Sequence, residues 1–360
     1  MKTGRTLTQL AQELDRQANE KRDFLLDTRA CQAMPHVINR EGTATNNGIA
    51  LHLANMGTYP LRPIANGQIS SRLNIPKKYY DRMLDRSPDL LCTNINHWFN
   101  NEPENRMVRT LDGNARAFLS ERYRPLDNYE LAEAVLPVIA DTEAEIDSCE
   151  ITEAKMYIKA TTHKIQGEVR KGDVIQSGII VSNSEVGHGS LSVYPFLKRL
   201  VCLNGMTVTD YGQRKYHVGQ AVGRGVDLSS AYELFTDKTK EISDRAFWHQ
   251  VRDVVRGVFS QEGFNVILES LKEAAEVPIT DQPLKVIERT QKTFKLSDSE
   301  KGGVLQHLLT GGDLTKWGLA NAVTRTAEDA DSYDRASELE ELGWTVVEMS
   351  KHRWEELAAA

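Results

Sequence analysis

The stretch from Glu145 to Gly205 decides the fold. It contains four strand-like runs: EIDSCEIT (145–152), KMYIKATTHK (155–164), DVIQSGIIVSNS (173–184) and GSLSVYPFLKRLVCLNG (189–205). Gly, Asp or charged residues separate them, as strand breaks require. In the second run Met156, Ile158 and Ala160 alternate with Tyr157, Lys159 and Thr161, the pattern of a half-buried antiparallel strand. In the fourth, Leu197, Arg199, Val201 and Leu203 oppose Lys198, Leu200 and Cys202. The four runs read as an antiparallel meander.

Working outward, Asp127 with Glu130 three residues on is a capping-box-like start for a helix with Leu131, Val135, Val138 and Ile139 on one face. Pro137 is expected to kink that helix or end it early. Before it, MVRTLDG and ARAFLS form a hairpin around Asp112-Gly113. From Ser229 the period becomes helical. Phe247, Val251, Val254, Val255 and Val258 make one apolar stripe, and Phe264, Ile267, Leu268 and Leu271 make another, with a break or bend at Gly263. A further helix starts at Asp313, and the chain closes on an acidic helix and the apolar stretch WTVVEM. At the other end Leu7, Leu10, Ala11 and Leu14 recur at helical spacing until the Gly/Asn-rich stretch Gly42 to Gly48. Residues 67–84, GQISSRLNIPKKYYDRML, outline two short helices joined at Asn74-Ile75-Pro76, as in a helix-turn-helix, with Lys77, Lys78 and Arg82 on the second.

The expected fold class is therefore α+β: a helix followed by an antiparallel β-meander packed by long helices, with helical N- and C-terminal extensions. Three regions are expected: a mostly helical part over 1–105, an α+β core over 106–325, and an acidic helical tail over 326–360.

Composition excludes several classes. Of 360 residues, 40% are hydrophobic and 26% charged, which rules out wholesale disorder and a coiled-coil rod. No apolar run approaches the roughly 20 residues of a spanning helix, and the first residues are polar, so a soluble cytoplasmic protein is expected. Cys31, Cys92, Cys149 and Cys202 are far apart, against a disulfide framework or zinc ribbon.

The net charge of −7 is uneven: residues 326–360 carry ten acids and three bases, leaving the rest neutral. Two stretches are basic. Arg106, Arg109, Arg116, Arg122 and Arg124 face only Asp112 and Glu121 in residues 106–124. Lys198, Arg199, Arg214, Lys215 and Arg224 face Asp210 alone in residues 198–224. Such runs either bind a polyanion or are solvated faces of strands and loops. Arg199 has a third reading, as the buried partner of a carboxylate, because it shares a strand face with Val201 and Leu203.

No reaction is legible. SNSEVGHGS (182–190) gathers Ser182, Ser184, Glu185 and His188, but it is not a nucleophile elbow, and its glycines suit a tight connection between strands. The histidines are scattered, and Gly223-Arg224-Gly225 and Gly311-Gly312-Asp313 are too short for phosphate loops. The reading is non-enzymatic, with no metal and no cofactor.

Three phrases carry a resemblance: RAFLSERYRPLDN (116–128), IVSNSEVGHGSLSVYPFLKRLVCLNGM (180–206) and WGLANAVTRTAEDADSYDRASELEELG (317–343). Together they resemble the phage- and plasmid-borne family called domain of unknown function 932, over roughly residues 70–345. The matching positions are Tyr123, Pro125, Leu126 and Asn128, then Ser182 and Ser184. They continue with Arg199, Cys202, Asn204 and Gly205, and end with Asn321, Ala322 and Thr324. The resemblance implies a mobile-element origin in a bacterial host. The element order over 127–275 is also similar to that of single-strand annealing proteins, which bind DNA through a cationic groove with aromatics for stacking.

The functional expectation is a single-stranded DNA binding or annealing protein of recombination or replication, with RNA as a ligand of the same chemistry. Its contacts would be Arg109, Arg116, Arg122, Tyr123 and Arg124 on one side and Lys198, Arg199, Arg214 and Lys215 on the other. The apolar stripes of residues 247–271 suggest a homo-oligomer, and the acidic tail a restraint on binding unless Trp344 and Val346 are core. The alternative is a counter-defence or regulatory factor that contacts a host protein through that tail.

Overall fold

The structure is a computed structural model that describes residues 1–40, 43–210, 213–215 and 237–358; side chains are described for these except 37–47, 213–215 and 237–245. The expected α+β class holds, with antiparallel sheets and a helical C-terminal part. At its centre lies the meander. Strands β7 (Glu145–Ile151), β8 (Met156–Glu168), β9 (Val174–Asn183) and β10 (Leu191–Arg199) pair antiparallel in sequence order, and β11 (Gly205–Thr207) and β12 (Gln213–Lys215) both pair with β10.

Helices cover this sheet on both faces. One face carries Met156, Ile158, Ala160, Ile179, Val181 and Val193. Against it pack α1 (Leu7–Glu20), α5 (Asn128–Asp141) and α6 (Asp237–Val258). The other presents Tyr157, Ile180, Tyr194 and Phe196 to Tyr333 of α11 (Tyr333–Val347). Beside it a larger core joins α7 (Gln261–Glu276), α8 (Pro283–Phe294), α9 (Asp298–Gly311), α10 (Lys316–Thr326), α11 and α12 (Lys351–Ala358). The alternation in β8 is therefore real, but the strand is buried on both sides over Met156–Thr162 rather than half-buried.

This double cover corrects the reading of the acidic stretch. Trp344 and Val346 are wholly buried, and Trp354 and Leu357 join the same core, so residues 326–358 are a structural layer and not an appended tail. It also corrects the use made of the apolar stripes. Phe247, Val251 and Val255 pack on the sheet, and Phe264, Ile267, Leu268 and Leu271 pack into the helical core. They are covered within one chain and give no ground for a second copy.

Residues 22–120 build a smaller α+β layer with its own core, so the mostly helical reading of 1–105 is corrected. Strands β1 (Arg22–Asp27), β5 (Asn105–Leu111) and β6 (Asn114–Ser120) form one sheet, and β2 (Cys31–Arg40), β3 (Thr43–Leu53) and β4 (Gly57–Pro60) another. Most of the Gly/Asn-rich stretch lies in β3, where it pairs with β2 ahead of the buried Ile49, Leu51 and Leu53. Helices α2 (Pro63–Arg72), α3 (Lys77–Arg86) and α4 (Pro88–Asn101) close this layer through Ile69, Tyr80, Met83, Leu91, Ile95 and Phe99. The helix pair of 67–84 is present. The hairpin is too, with Asp112 (φ 51°) and Gly113 (φ 70°) both left-handed, the two-residue turn that matches strand twist. It packs in the N-terminal core, however, not in the central one.

Local readings shift for identifiable reasons. α5 continues a turn beyond Pro137, which sits on the exposed side with Glu133, so water can take the carbonyl that the proline leaves unbonded. The break between the two apolar stripes falls at Ser260, whose hydroxyl caps α7 by accepting from the Gly263 N–H. The later helix starts at Lys316, capped by Thr315.

One ion pair ties the sheet to the C-terminal layer. Lys159 of β8 and Glu340 of α11, both fully buried, meet at 2.5 Å, with the ammonium over the Tyr333 ring at 4.7 Å. Removing one partner leaves the other charge buried alone. Glu340→Gln is therefore expected to lower the unfolding free energy by about 3–5 kcal/mol, while the joint change Lys159→Met with Glu340→Leu recovers most of it. Urea midpoints check this; a Glu340→Gln midpoint equal to wild type would refute the role of the pair.

Candidate functional site

The expected contact residues fall into three groups. Arg109, on β5 opposite Asp23 and Ala117, points into the protein and is fully buried. Its Nε donates to Asp23 at 2.9 Å, one Nη to Asp127 at 2.8 Å and the other to the Glu185 carbonyl at 2.9 Å. Every edge of the guanidinium is taken, so no phosphate can reach it. Arg116 donates to the Glu185 carboxylate at 2.6 Å, and the buried Tyr123 hydroxyl donates to the Ser184 carbonyl at 3.0 Å. Burial raises the Tyr123 phenol, which stays protonated. Arg109 and Tyr123 are interior partners, and Arg116, partly buried, is held by Glu185; the three are not a phosphate-tracking surface.

The second group lies on β10. Lys198 pairs with Asp147, and Arg199 forms a two-pronged pair with Asp173 at 2.5 and 2.9 Å. Asp173 also accepts from the Trp317 indole at 2.9 Å, and the Arg199 guanidinium lies over that ring. The carboxylate-partner reading of Arg199 is the one the fold adopts. Among the rest, Arg122 is exposed and Arg124 half-buried. The side chains of Arg214 and Lys215 lie outside the described ones, as does all of Arg224. Among the described residues the single basic surface expected from the two runs is not assembled, because Arg109, Arg116, Lys198 and Arg199 are each held by a carboxylate.

What the fold assembles instead is a polar knot. Asp127 is the N-cap residue of α5, but its carboxylate makes no capping bond; it binds Arg109 and Lys21 (2.5 Å). The helix N-terminus is served by Glu185, whose Oε1 accepts from the Asn128 N–H at 2.7 Å. Asn183 donates to the Leu126 carbonyl at 2.8 Å and to the Asn128 side chain at 2.9 Å. The turn of residues 184–190 thus connects strands, as expected, and also anchors the knot. Sequence reading placed Glu185 only in the 182–190 turn and missed Asp23 and Lys21, since nothing in their spacing relates them to Arg109.

Beside the knot opens a cleft of about 210 Å³. Arg16, Arg62, Arg116 and Lys155 line it together with Glu13, Asp112, Glu153 and Glu185. The balance of charge gives no preference for a polyanion. Among the described residues no group of three or more His, Cys, Asp or Glu is placed to hold a metal ion.

Burial alone would raise the Asp127 carboxyl, but the Arg109 guanidinium and the Lys21 ammonium outweigh it and hold it below the usual carboxylate range. Its contribution to stability is thus complete above the unfolded value of roughly 3.9 and is lost as pH falls through the lower folded value. Asp127→Asn should be less stable at neutral pH and show a shallower loss of stability on acidification below about pH 4. Denaturant unfolding across that range tests this, and an unchanged acid limb would refute it.

The knot joins two of the phrases that the sequence singles out, around Tyr123–Asn128 and Ser182–Ser184, which lie far apart in the chain. Comparison with curated proteins finds no match, and comparison with solved structures finds none either. Residues 117–341, more than half of the chain, match the family described as "Domain of unknown function (DUF932)". The chain belongs to that family.

Proposed function

We propose that the protein binds single-stranded nucleic acid, without catalysis, in the recombination or replication of a phage or plasmid, and that α3 forms the binding face. The observation behind this reading is the outer side of that helix. Lys78, Tyr79, Arg82 and Arg86 fall within an arc of about 100°, with the buried Tyr80 and Met83 outside it and Arg86 paired with Asp85. Lys78 and Arg82 have no ion pair among the described residues, unlike Arg109, Arg116, Lys198 and Arg199. Tyr79 is 49% exposed and offers a ring on which a base can stack.

The physical case is one of accessible charge. Binding a phosphate needs a cation that water can reach and that no carboxylate neutralises; an exposed aromatic beside it suits an unpaired base better than a duplex. The helix pair α2–α3 has the outline of a groove-reading unit, so a duplex is the competitor to be tested.

Fluorescence anisotropy with a labelled oligo-dT and with a duplex of equal length, each over a salt series, provides the test. The single strand should bind more tightly, with affinity falling steeply as salt rises. Lys78→Glu with Arg82→Glu should weaken binding at least about tenfold and flatten the salt slope by roughly 0.7 for each phosphate no longer neutralised. A folded double variant that binds as wild type does ends the proposal, and preference for the duplex replaces it with groove reading.

A further inference from the structure

A second cleft, of about 400 Å³, lies on the far side of the meander between the turn after β10 and helices α9 and α10. It is the size of a small-molecule site. Matching positions that the knot does not use meet here: Arg199, Cys202 and Asn204 from the second phrase and Asn321 from the third. Gln306, His307, Thr310, Asp313 and Arg325 complete the polar lining.

Asn204 is 2% exposed and its amide orientation is dictated by its neighbours. Asn321 donates its own Nδ2 to the Trp317 carbonyl at 2.9 Å, so its Oδ1 is the atom turned to Asn204, at 3.3 Å. Thr324 donates its hydroxyl to the Asn321 carbonyl at 3.1 Å and can only accept from Asn204, at 2.6 Å. Asn204 must therefore present Nδ2 to both. Its Oδ1 is left buried without a hydrogen-bond partner, and the residue lines the cleft. An unpaired buried acceptor is an unfavourable state that a ligand donor relieves.

The charge of the cleft is set by Arg325. Arg199 is neutralised by Asp173, and Asp313 pairs with Arg170. Arg325 has no ion pair among the described residues. His307 is held toward its neutral form by burial and then by the charge of Arg325, against the opposing carboxylates of Asp329 and Glu328, beside a guanidinium that forms no ion pair among the described residues.

We propose that this cleft binds a small anionic molecule, with a phosphate or carboxylate on Arg325 and an N–H donor on the Asn204 Oδ1. The site is independent of the α3 face, so either can fail alone.

Cys202 makes the proposal testable. It lines the cleft and is half-exposed, whereas Cys31, Cys92 and Cys149 are buried and burial pushes their thiols up to about 12, 11 and 12. A thiol reagent on the native protein should therefore label Cys202 first, and Cys202→Ser should remove that fast phase. AMP supplies a phosphate with an amino donor, N-acetyl-L-glutamate a carboxylate with an amide N–H, and adenosine a donor without an anion. One of the two anions should slow Cys202 labelling, which identifies the oxyanion, and adenosine should not. Arg325→Gln should weaken that protection by about tenfold to a hundredfold, the loss of a charge-assisted hydrogen bond, and Arg325→Lys should restore part of it. Labelling unaffected by both anions, or protection that persists in a folded Arg325→Gln protein, overturns the proposal.

Discussion

A sheet buried on both faces cannot hold a charge that is not paired, and most of this molecule follows from that constraint. With α1, α5 and α6 on one side and the C-terminal helices on the other, the strands of the meander have almost no wet face. Among the described side chains, the cations that this burial encloses have each drawn a carboxylate from another segment: Glu340 for Lys159, Asp147 for Lys198, Asp173 for Arg199. The pairs run between elements distant in sequence, so each one also fixes how a helix or a strand sits on its neighbour. Their net contribution to stability is small or even unfavourable against apolar replacements; breaking one is what costs. The pairs act as register marks.

The same physics explains Arg109. It stands where the hairpin of the N-terminal layer, the start of α5 and the β9–β10 turn converge. No other side chain can donate in three directions at once from a rigid fork. Burial would by itself discourage its charge, yet Asp23, Asp127 and Glu185 outweigh that and keep it protonated. Accessible positive charge is consequently displaced to the rim of the fold, to the outer face of α3 and to Arg325. Both are places where an anion can arrive without first breaking an internal pair.

Local order was legible from the residues alone. The four strands of the meander, the Asp112-Gly113 turn, the helix after Asp127 and the pair at 67–84 all follow from periodicity, turn chemistry and capping, which act within a few residues. The N-terminal strands were not, because β2 and β3 carry Asn, Gly and His in place of a clean alternation, and their ladder is held by the main chain. The acidic composition of residues 326–358 concealed a core helix for a related reason. Its acids point outward or pair, while Trp344 and Val346 fill the interior.

By itself the sequence determined the class, the element order across the meander, and family membership through phrases spread over residues 116–343. Only the tertiary structure decided which cations are available. Net charge along a chain counts Arg109 and Lys78 alike, since pairing across 18 or 86 residues leaves no trace in local spacing. Whether a charge meets water or a carboxylate depends on what folds over it, and in this protein a second layer of helices folds over nearly every strand of the meander.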